Sequence, residues 1–161
     1  MMIRISKTFA ARWKDAKLDG SASGVTLDPR LGALIEAPLV RRAGCLLLEP
    51  LAANATGADA FPDRTGYEAF INKLHVEDYV DEQSGTDDDR LVALVRQGVR
   101  AALDLAKRLE RAGLYRVVLS LDPDVRTVTL RFFERREGEP WGSSDPDSYA
   151  LEEVAMFDTG S

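Results

Sequence analysis

A chain of 161 residues with 45% hydrophobic side chains, one cysteine and a net charge of −6 is expected to form a single soluble domain. One cysteine excludes an internal disulfide and fits the reducing cytoplasm. The acidic total argues against free nucleic acid or an anionic membrane as the main partner. No apolar stretch reaches the ~18 residues of a membrane span. Arg4, Lys7 and Arg12 interrupt the N-terminus before a signal peptide's apolar core can form.

The charges are unevenly distributed along the chain. Between Arg90 and Arg136 there are 11 basic and 5 acidic residues, whereas from Glu137 onward there are 7 acidic residues and no basic one. The acidic flanks are compatible with a basic protein partner. They are equally compatible with a surface that is simply solvated.

The first half of the chain predicts short strands separated by loops. The alternation in residues 3–13 predicts a first strand, and two further strands are expected at 33–37 and 44–49. The glycine-rich and proline-rich segments 19–24 and 50–66 predict loops. Alternation in residues 67–80 favours another strand, with Phe70, Leu74 and Val76 facing the core.

One long amphipathic helix is predicted over residues 87–112. Thr86 followed by Asp89 resembles a capping box, and three aspartates in the first turn complement the helix dipole. Gly113 is a natural residue for the position after the helix. Apolar residues recur at three- and four-residue spacing, at Leu91, Val95, Val99, Ala102, Ala106 and Leu109.

A β-hairpin is predicted after this helix. Residues 115–121 alternate, Asp122-Pro123-Asp124 supplies a turn, and residues 127–133 alternate again. A loop at 137–148 and a last strand at 149–157 complete the chain. The predicted fold class is therefore α+β, a mostly antiparallel sheet with one long amphipathic helix packed on one face.

The motifs of common metal and nucleotide sites are missing from the sequence. One histidine and one cysteine leave a zinc site without the usual ligand spacing. Neither the phosphate-binding loop pattern nor the dinucleotide glycine pattern is present. Cys45 lies in an apolar run, where a thiol is usually a small buried hydrophobe. We expect no metal and no cofactor.

His75 is the residue on which an enzyme hypothesis depends. It would act as a general base oriented by Glu77 or Asp78, or pair with Cys45 if the two meet in space. On a strand, Glu77 shares the side of His75 whereas Asp78 points away. The sequence supplies no obvious nucleophile or oxyanion hole, so we favour a structural histidine and a protein that is not an enzyme.

The acidic run is the more promising feature. Seven carboxylates fall within 13 residues, with Tyr79 among them: Glu77, Asp78, Asp81, Glu82, Asp87, Asp88 and Asp89. One interpretation is a solvated loop with helix-dipole compensation. The other is a surface for a basic partner, with Tyr79 as an anchor. Trp141, in an acidic loop, is a second candidate anchor or a side chain that folds back onto the core.

One segment resembles a motif of bacterial polymorphic-toxin immunity proteins and is most similar to the group called immunity protein 10. The resemblance rests on Phe70-Ile71-Asn72-Lys73-Leu74-His75-Val76-Glu77-Asp78-Tyr79. It implies a small cytoplasmic protein, rich in strands, that neutralises a toxin by direct binding, without cofactor or turnover. It does not identify the residues that touch the toxin.

The leading expectation from the sequence is therefore an immunity protein that blocks a toxin domain, with a basic nuclease as the expected toxin. Its partner-binding residues are expected among Glu77, Asp78, Tyr79, Asp81, Glu82, Asp87, Asp88 and Trp141. Two alternatives remain open, a small enzyme that uses His75 and an adaptor whose partner is not a toxin. The sequence leaves the oligomeric state undetermined.

Overall fold

The computed structural model describes residues 1–14, 24–53, 55–81 and 84–160. Within these residues a five-stranded antiparallel sheet and a two-stranded sheet combine with five α-helices. The longest helix, α5 (Asp87–Leu109), packs against one face of the larger sheet. The predicted α+β class, with one long helix on an antiparallel sheet, is confirmed.

The larger sheet is built around the predicted hairpin. Its strands lie in the order β1 (Met2–Ile5), β7 (Glu153–Asp158), β5 (Tyr115–Asp122), β6 (Thr127–Glu134) and β4 (Leu74–His75). The hairpin pairs Leu119 with Leu130. At its turn, Asp122 Oδ1 accepts hydrogen bonds from the backbone N–H groups of Asp124 and Val125, which is the turn chemistry expected of aspartate.

Helix α5 begins and packs as its sequence predicts. Thr86 and Asp89 form a reciprocal capping box. Leu91, Val95 and Val99 are buried against the sheet side of the core. At Gly98, an added Cβ would lie 2.8 Å from Leu119 Cδ1, so the missing side chain allows the helix to approach the sheet closely.

The strand predicted over residues 3–13 is wrong beyond Ile5. Helix α1 (Lys7–Arg12) follows β1 at once, because the Ser6 hydroxyl accepts a hydrogen bond from Phe9 N and caps the helix. Phe9 is fully buried, but it enters the core from a helix and not from a strand.

The strand predicted at residues 33–37 is also wrong. These residues belong to α2 (Pro29–Glu36), where the Asp28 side chain accepts from Arg30 N and Pro29 occupies the first turn. This is a strong helix start. The strand predicted at 44–49 is confirmed as β3 (Cys45–Leu48), which pairs with β2 (Leu39–Arg42) in the smaller sheet.

The loop predicted at residues 50–66 contains more structure than expected. Helix α3 (Glu49–Ala52) follows β3, and a 3₁₀ turn spans Ala58–Ala60. Helix α4 (Arg64–Ile71) then begins at a cap in which Asp63 accepts from Gly66 N.

The strand predicted over residues 67–80 is wrong for most of its length. Helix α4 runs through Ile71, β4 has only two residues, and a 3₁₀ turn spans Val76–Asp78. Phe70 is 60% exposed and does not face the core, whereas Leu74 and Val76 are buried as expected. The last strand, predicted over 149–157, is confirmed as β7 but begins at Glu153.

A buried carboxylate on α4 joins the two sheets. Glu68 is fully buried, and its Oε1 accepts from Leu46 N on β3 at 2.6 Å. Its Oε2 accepts from Glu134 N on β6 at 2.8 Å. Arg136 donates to both oxygens at 2.8 and 3.0 Å and balances the charge. One side chain therefore takes the place of direct hydrogen bonds between β3 and β6.

Asn72, one turn further along, completes the same junction. Its Oδ1 accepts from Leu48 N at 3.1 Å. Its Nδ2 donates to the backbone oxygens of Leu46 at 2.9 Å and Phe132 at 3.3 Å. Asn72 is buried, and an amide that both donates and accepts suits backbone groups of both kinds.

Candidate protein-binding surface

Six carboxylates of the predicted acidic run lie on the turn after β4, on the loop beyond it and in the first turn of α5. We call them the acidic surface: Glu77, Asp78, Asp81, Asp87, Asp88 and Asp89. Glu82, which the sequence placed with them, lies outside the described residues. Glu77 and Asp87 line one cleft, so the two halves of the run meet in space.

Five members of the acidic surface are exposed. The side chains of Asp81, Asp87 and Asp88 are 82%, 66% and 89% exposed, and Asp78 and Asp89 are exposed as well. Charges at such positions act on an approaching partner through solvent, and salt weakens their effect.

Arginines partly neutralise the acidic surface. Arg30 Nη2 lies 2.9 Å from Asp81 Oδ1. Arg126, at the tip of the β5–β6 hairpin, forms ion pairs with Asp87 and Asp88. Arg90 lines the cleft beside Asp87. Six carboxylates against three arginines leave a formal excess of three negative charges.

Two members of the acidic surface form hydrogen bonds that stabilise the fold. Glu77 Oε2 accepts from Val128 N on β6 at 3.1 Å. Asp89 accepts from the Thr86 N–H and hydroxyl, and these hydrogen bonds lower the pKa of its carboxyl. Tyr79 is partly buried against the main core. The carboxylates most available to a partner are therefore Asp78, Asp81, Asp87 and Asp88.

A cleft of about 380 Å³ opens between α5 and the hairpin tip at the acidic surface. Leu91, Leu94 and Val125 supply its apolar lining. Its charged lining consists of Glu77, Asp87, Arg90 and Arg126. A long side chain with an apolar stem and a charged end fits a lining of this kind.

Trp141 lies away from the acidic surface, on the opposite face of the sheet from α5. Its ring centroid is 5.1 Å from that of Phe133, and Arg131 Cζ is 4.7 Å from the ring centroid. Phe133 belongs to the small cluster on that face, whereas α5 covers the other face. The structure therefore separates the two candidate contact regions that the sequence proposed.

Trp141 borders a groove that sequence reasoning missed. The aromatic groove, about 360 Å³ in volume, is lined by Phe61, Pro62, Asp63, Gly66, Phe70, Arg131, Pro140, Trp141 and Gly142. The rings of Phe61 and Phe70 have their centroids 5.2 Å apart. Phe70 was expected in the core because a strand was predicted. The helix that begins at the Asp63 cap places Phe70 on its exposed side, and this cap is the sequence signal for that exposure.

His75 lies beside Glu77, one of the carboxylates that the enzyme hypothesis requires. Its side chain is 42% exposed, and Nδ1 lies 3.3 Å from Glu77 Oε1. Among the described residues, Glu77 is the only one that hydrogen-bonds with the His75 ring. The other oxygen of Glu77 is engaged by Val128 N. This arrangement orients the imidazole beside the carboxylate.

Cys45 belongs to a different part of the molecule. It is fully buried in a cluster with Tyr67 and Ile71, and its thiol points to the backbone oxygens of Ala43 and Arg64. Burial, reinforced by the charge of Glu68, raises the pKa of the thiol to about 11. The described contacts of Cys45 and His75 share no residue, and a Cys45–His75 dyad is not formed.

We expect the Cys45 thiol to react slowly with Ellman's reagent in the native protein. At pH 8 a thiol with a pKa of about 11 is ionised roughly a hundredfold less than an ordinary one, and burial also blocks access. The thiol of the urea-unfolded protein should therefore react at least about a hundredfold faster than the thiol of the native protein. A native rate close to that of the unfolded chain would contradict the buried position.

Across residues 1–14, 24–53, 55–81 and 84–160, no three His, Cys, Asp or Glu side chains are grouped so that they could hold a metal ion. No helix of the described chain is long and apolar enough to cross a membrane.

The segment with the immunity-protein resemblance has both structural and exposed members. Ile71, Asn72, Leu74 and Val76 are buried. Phe70, Lys73 and Asp78 are exposed, and His75 is half-exposed. The exposed members lead from the aromatic groove at Phe70 to the acidic surface at Asp78, so the segment contributes to both regions.

One family model matches almost the whole chain. It is that of the Uncharacterized protein PM0498 family, and it covers residues 9–161. No curated protein and no solved structure matches the chain.

Proposed function

We propose that this chain, which belongs to the Uncharacterized protein PM0498 family, is a cytoplasmic immunity protein that binds and neutralises a bacterial toxin domain. The observation that carries the proposal is the acidic surface, where Asp78, Asp81, Asp87 and Asp88 are exposed and Asp87 lines the cleft beside α5. The resemblance of residues 70–79 to immunity proteins supports it.

The charge of this surface favours a basic toxin. An excess of negative charge speeds the encounter with a positive patch and disfavours acidic partners. Nucleases bind phosphates with lysine and arginine side chains. An acidic protein that occupies such a patch blocks the substrate without any chemistry of its own, so a nuclease domain is the toxin class that we propose.

A growth assay tests the function directly. The C-terminal domain of the neighbouring upstream gene product is induced in a laboratory bacterial host with and without this protein. Toxicity that only this protein relieves, together with co-purification of the two chains, is the expected result. Toxicity without relief would overturn immunity to that toxin and favour an adaptor with another partner. A harmless neighbour would show that the pairing was wrong.

We expect joint neutralisation of the acidic surface to slow association with the toxin. The variant carries Asp81→Asn, Glu82→Gln, Asp87→Asn and Asp88→Asn. Because steering by exposed charge contributes about 10- to 1,000-fold to association rates, at least a tenfold lower rate is expected at low salt, with a weaker salt dependence. Stopped-flow fluorescence at several salt concentrations measures both quantities.

A control variant changes the same charge elsewhere, through Glu36→Gln, Glu49→Gln, Asp59→Asn and Glu137→Gln, all at exposed positions. The control should retain most of the association rate, since its carboxylates lie outside the acidic surface. Equal rates for the two variants would show that total charge and not the acidic surface controls association. Circular dichroism of both variants checks that the fold is intact.

A further inference from the structure

The geometry points to the aromatic groove as a second contact for the same partner, one that receives an apolar side chain placed next to a carboxylate. This inference rests on the proposed function. It requires that the toxin present an acidic segment to the groove as well as a basic patch to the acidic surface. The groove lies beside Phe70 and Arg131, whereas the acidic surface lies beyond Asp78.

Arg131 gives the groove its charge preference. Among the described residues its guanidinium forms no hydrogen bond and no ion pair, and its defined contact is the face of Trp141. The charge of Glu152 acts on it electrostatically. By contrast, Arg64 on the neighbouring helix pairs with Glu139 at 3.3 Å. A guanidinium held against an aromatic ring still has its N–H donors available, and a carboxylate is the group that satisfies them best.

The aromatic rings supply the apolar part of the site. Phe70 is 60% exposed although it is a large hydrophobic residue on a short helix. It stacks against Phe61, and Trp141 and two prolines complete the lining. Exposed aromatic residues gathered around a concave surface are typical anchors of protein interfaces.

A cationic occupant fits the groove less well. Asp63 is the only acidic residue in the lining, and its Oδ1 already accepts from Gly66 N at 2.6 Å. The charge of Arg131 opposes a second cation near Trp141. An anion faces neither difficulty, so the charge complementarity of the groove favours a carboxylate.

Strand β6 borders both regions. Thr127, which lines the cleft, and Arg131, which lines the groove, lie four residues apart on it, roughly 13 Å at about 3.3 Å per residue. Because the groove lies on the opposite face of the sheet from α5, one partner reaches both regions by extending around the sheet edge at β4. His75 lies between the two regions, beside Thr129.

Short peptides test the groove without the toxin. The probes are acetyl-Gly-Phe-Glu-Gly-amide and its analogues with Gln or Lys in place of Glu. They are titrated into ¹⁵N-labelled protein, and the indole signal of Trp141 and the Nε–H signal of Arg131 are followed. Trp13, which hydrogen-bonds with Glu153 on a different part of the surface, serves as an internal control.

The Glu peptide should shift both groove signals and bind at least threefold more tightly than the Gln peptide. Arg131→Gln should remove this difference, while Arg96→Gln, an equal charge change on the exposed side of α5, should keep it. Equal binding of the Glu and Gln peptides, tighter binding of the Lys peptide, or no shift at Trp141 would each overturn the assignment of the groove.

The toxin then tests whether the groove belongs to the same interface. With a toxin identified by the growth assay, Phe70→Ala and Arg131→Gln should each raise the dissociation rate about tenfold or more, and Arg96→Gln should not. Peptide binding with an unchanged toxin dissociation rate would remove the groove from the toxin interface. Toxicity that the protein does not relieve would overturn immunity to that toxin and leave the peptide result to stand by itself.

Discussion

Replacement of Glu68 by alanine should lower the free energy of unfolding by about 3–5 kcal/mol, the cost of removing one partner from a buried ion pair. Glu68 is fully buried and its side chain accepts from two backbone N–H groups as well as from Arg136. The variant leaves Leu46 N and Glu134 N without their acceptor and removes two of the hydrogen bonds of the Arg136 guanidinium, which keeps its contact with Glu134. Urea denaturation followed by circular dichroism measures the loss.

Glu134→Ala is the matched control for this prediction. Glu134 pairs with the same arginine at 2.7 Å, but its side chain is 34% exposed and does not bridge β3 and β6. Its replacement should cost no more than about 1 kcal/mol. If the two variants were equally stable, Glu68 would be an ordinary ion-pair partner and not the bridge between β3 and β6.

The second large effect is expected at Asp158, where Asp158→Ala should cost about 3 kcal/mol at pH 7. Its carboxylate is buried and accepts from Arg116 at 2.7 and 3.1 Å and from Arg4 at 2.7 Å. Burial alone would raise the pKa of Asp158, but the hydrogen bond and charge of Arg116 outweigh burial and lower it.

The lowered pKa fixes the pH dependence of this contribution. Asp158 stabilises the fold fully above the ordinary aspartate pKa of about 4, and the stabilisation is lost as the pH falls through the lower pKa of the folded state. The difference between the wild type and Asp158→Ala should therefore narrow between pH 5 and pH 2. A difference that stays constant over this range would contradict the role of the ionised carboxylate.

A double replacement separates the effect of the ion pair from that of packing. Arg116→Met combined with Asp158→Leu replaces both charges with apolar groups, and such replacements of a buried pair are often neutral or stabilising. We expect the double variant to be more stable than Asp158→Ala alone. An equally low stability would indicate that the site depends on shape or on Arg4 and not on the Arg116 pair.

Local signals were sufficient for some elements of the fold. Helix α5 has a cap at Thr86 and apolar residues at helical spacing over 23 residues. The following hairpin has alternation broken only at Val118 and Phe133, around an aspartate turn. Helix α2 has eight residues, and its last four, together with the Ala37 cap, resemble a short apolar strand. Its start at Asp28-Pro29 was the signal that should have decided the assignment.

The region of α4 and β4 was harder because tertiary contacts determine it. Residues 70–78 alternate in sequence, but Glu68 in α4 and Asn72 at its C-cap bridge β3 and β6 through hydrogen bonds that the alternation does not reveal. The ion pairs of the acidic surface were equally hidden, since Arg30 and Asp81 are separated by 51 positions. The aromatic groove was also hidden, because Phe61, Phe70 and Trp141 belong to three separate segments.

The residues from Glu68 to Glu77 cover the outer side of β6, which would otherwise be an open sheet edge. Along the outer side of β6, Glu77 engages Val128 N, β4 pairs with Leu130, Asn72 engages Phe132 O and Glu68 engages Glu134 N. A strand side left open would be a template for pairing with other chains. This one is closed to strand addition over its length, so it offers no template for edge-to-edge pairing with another chain.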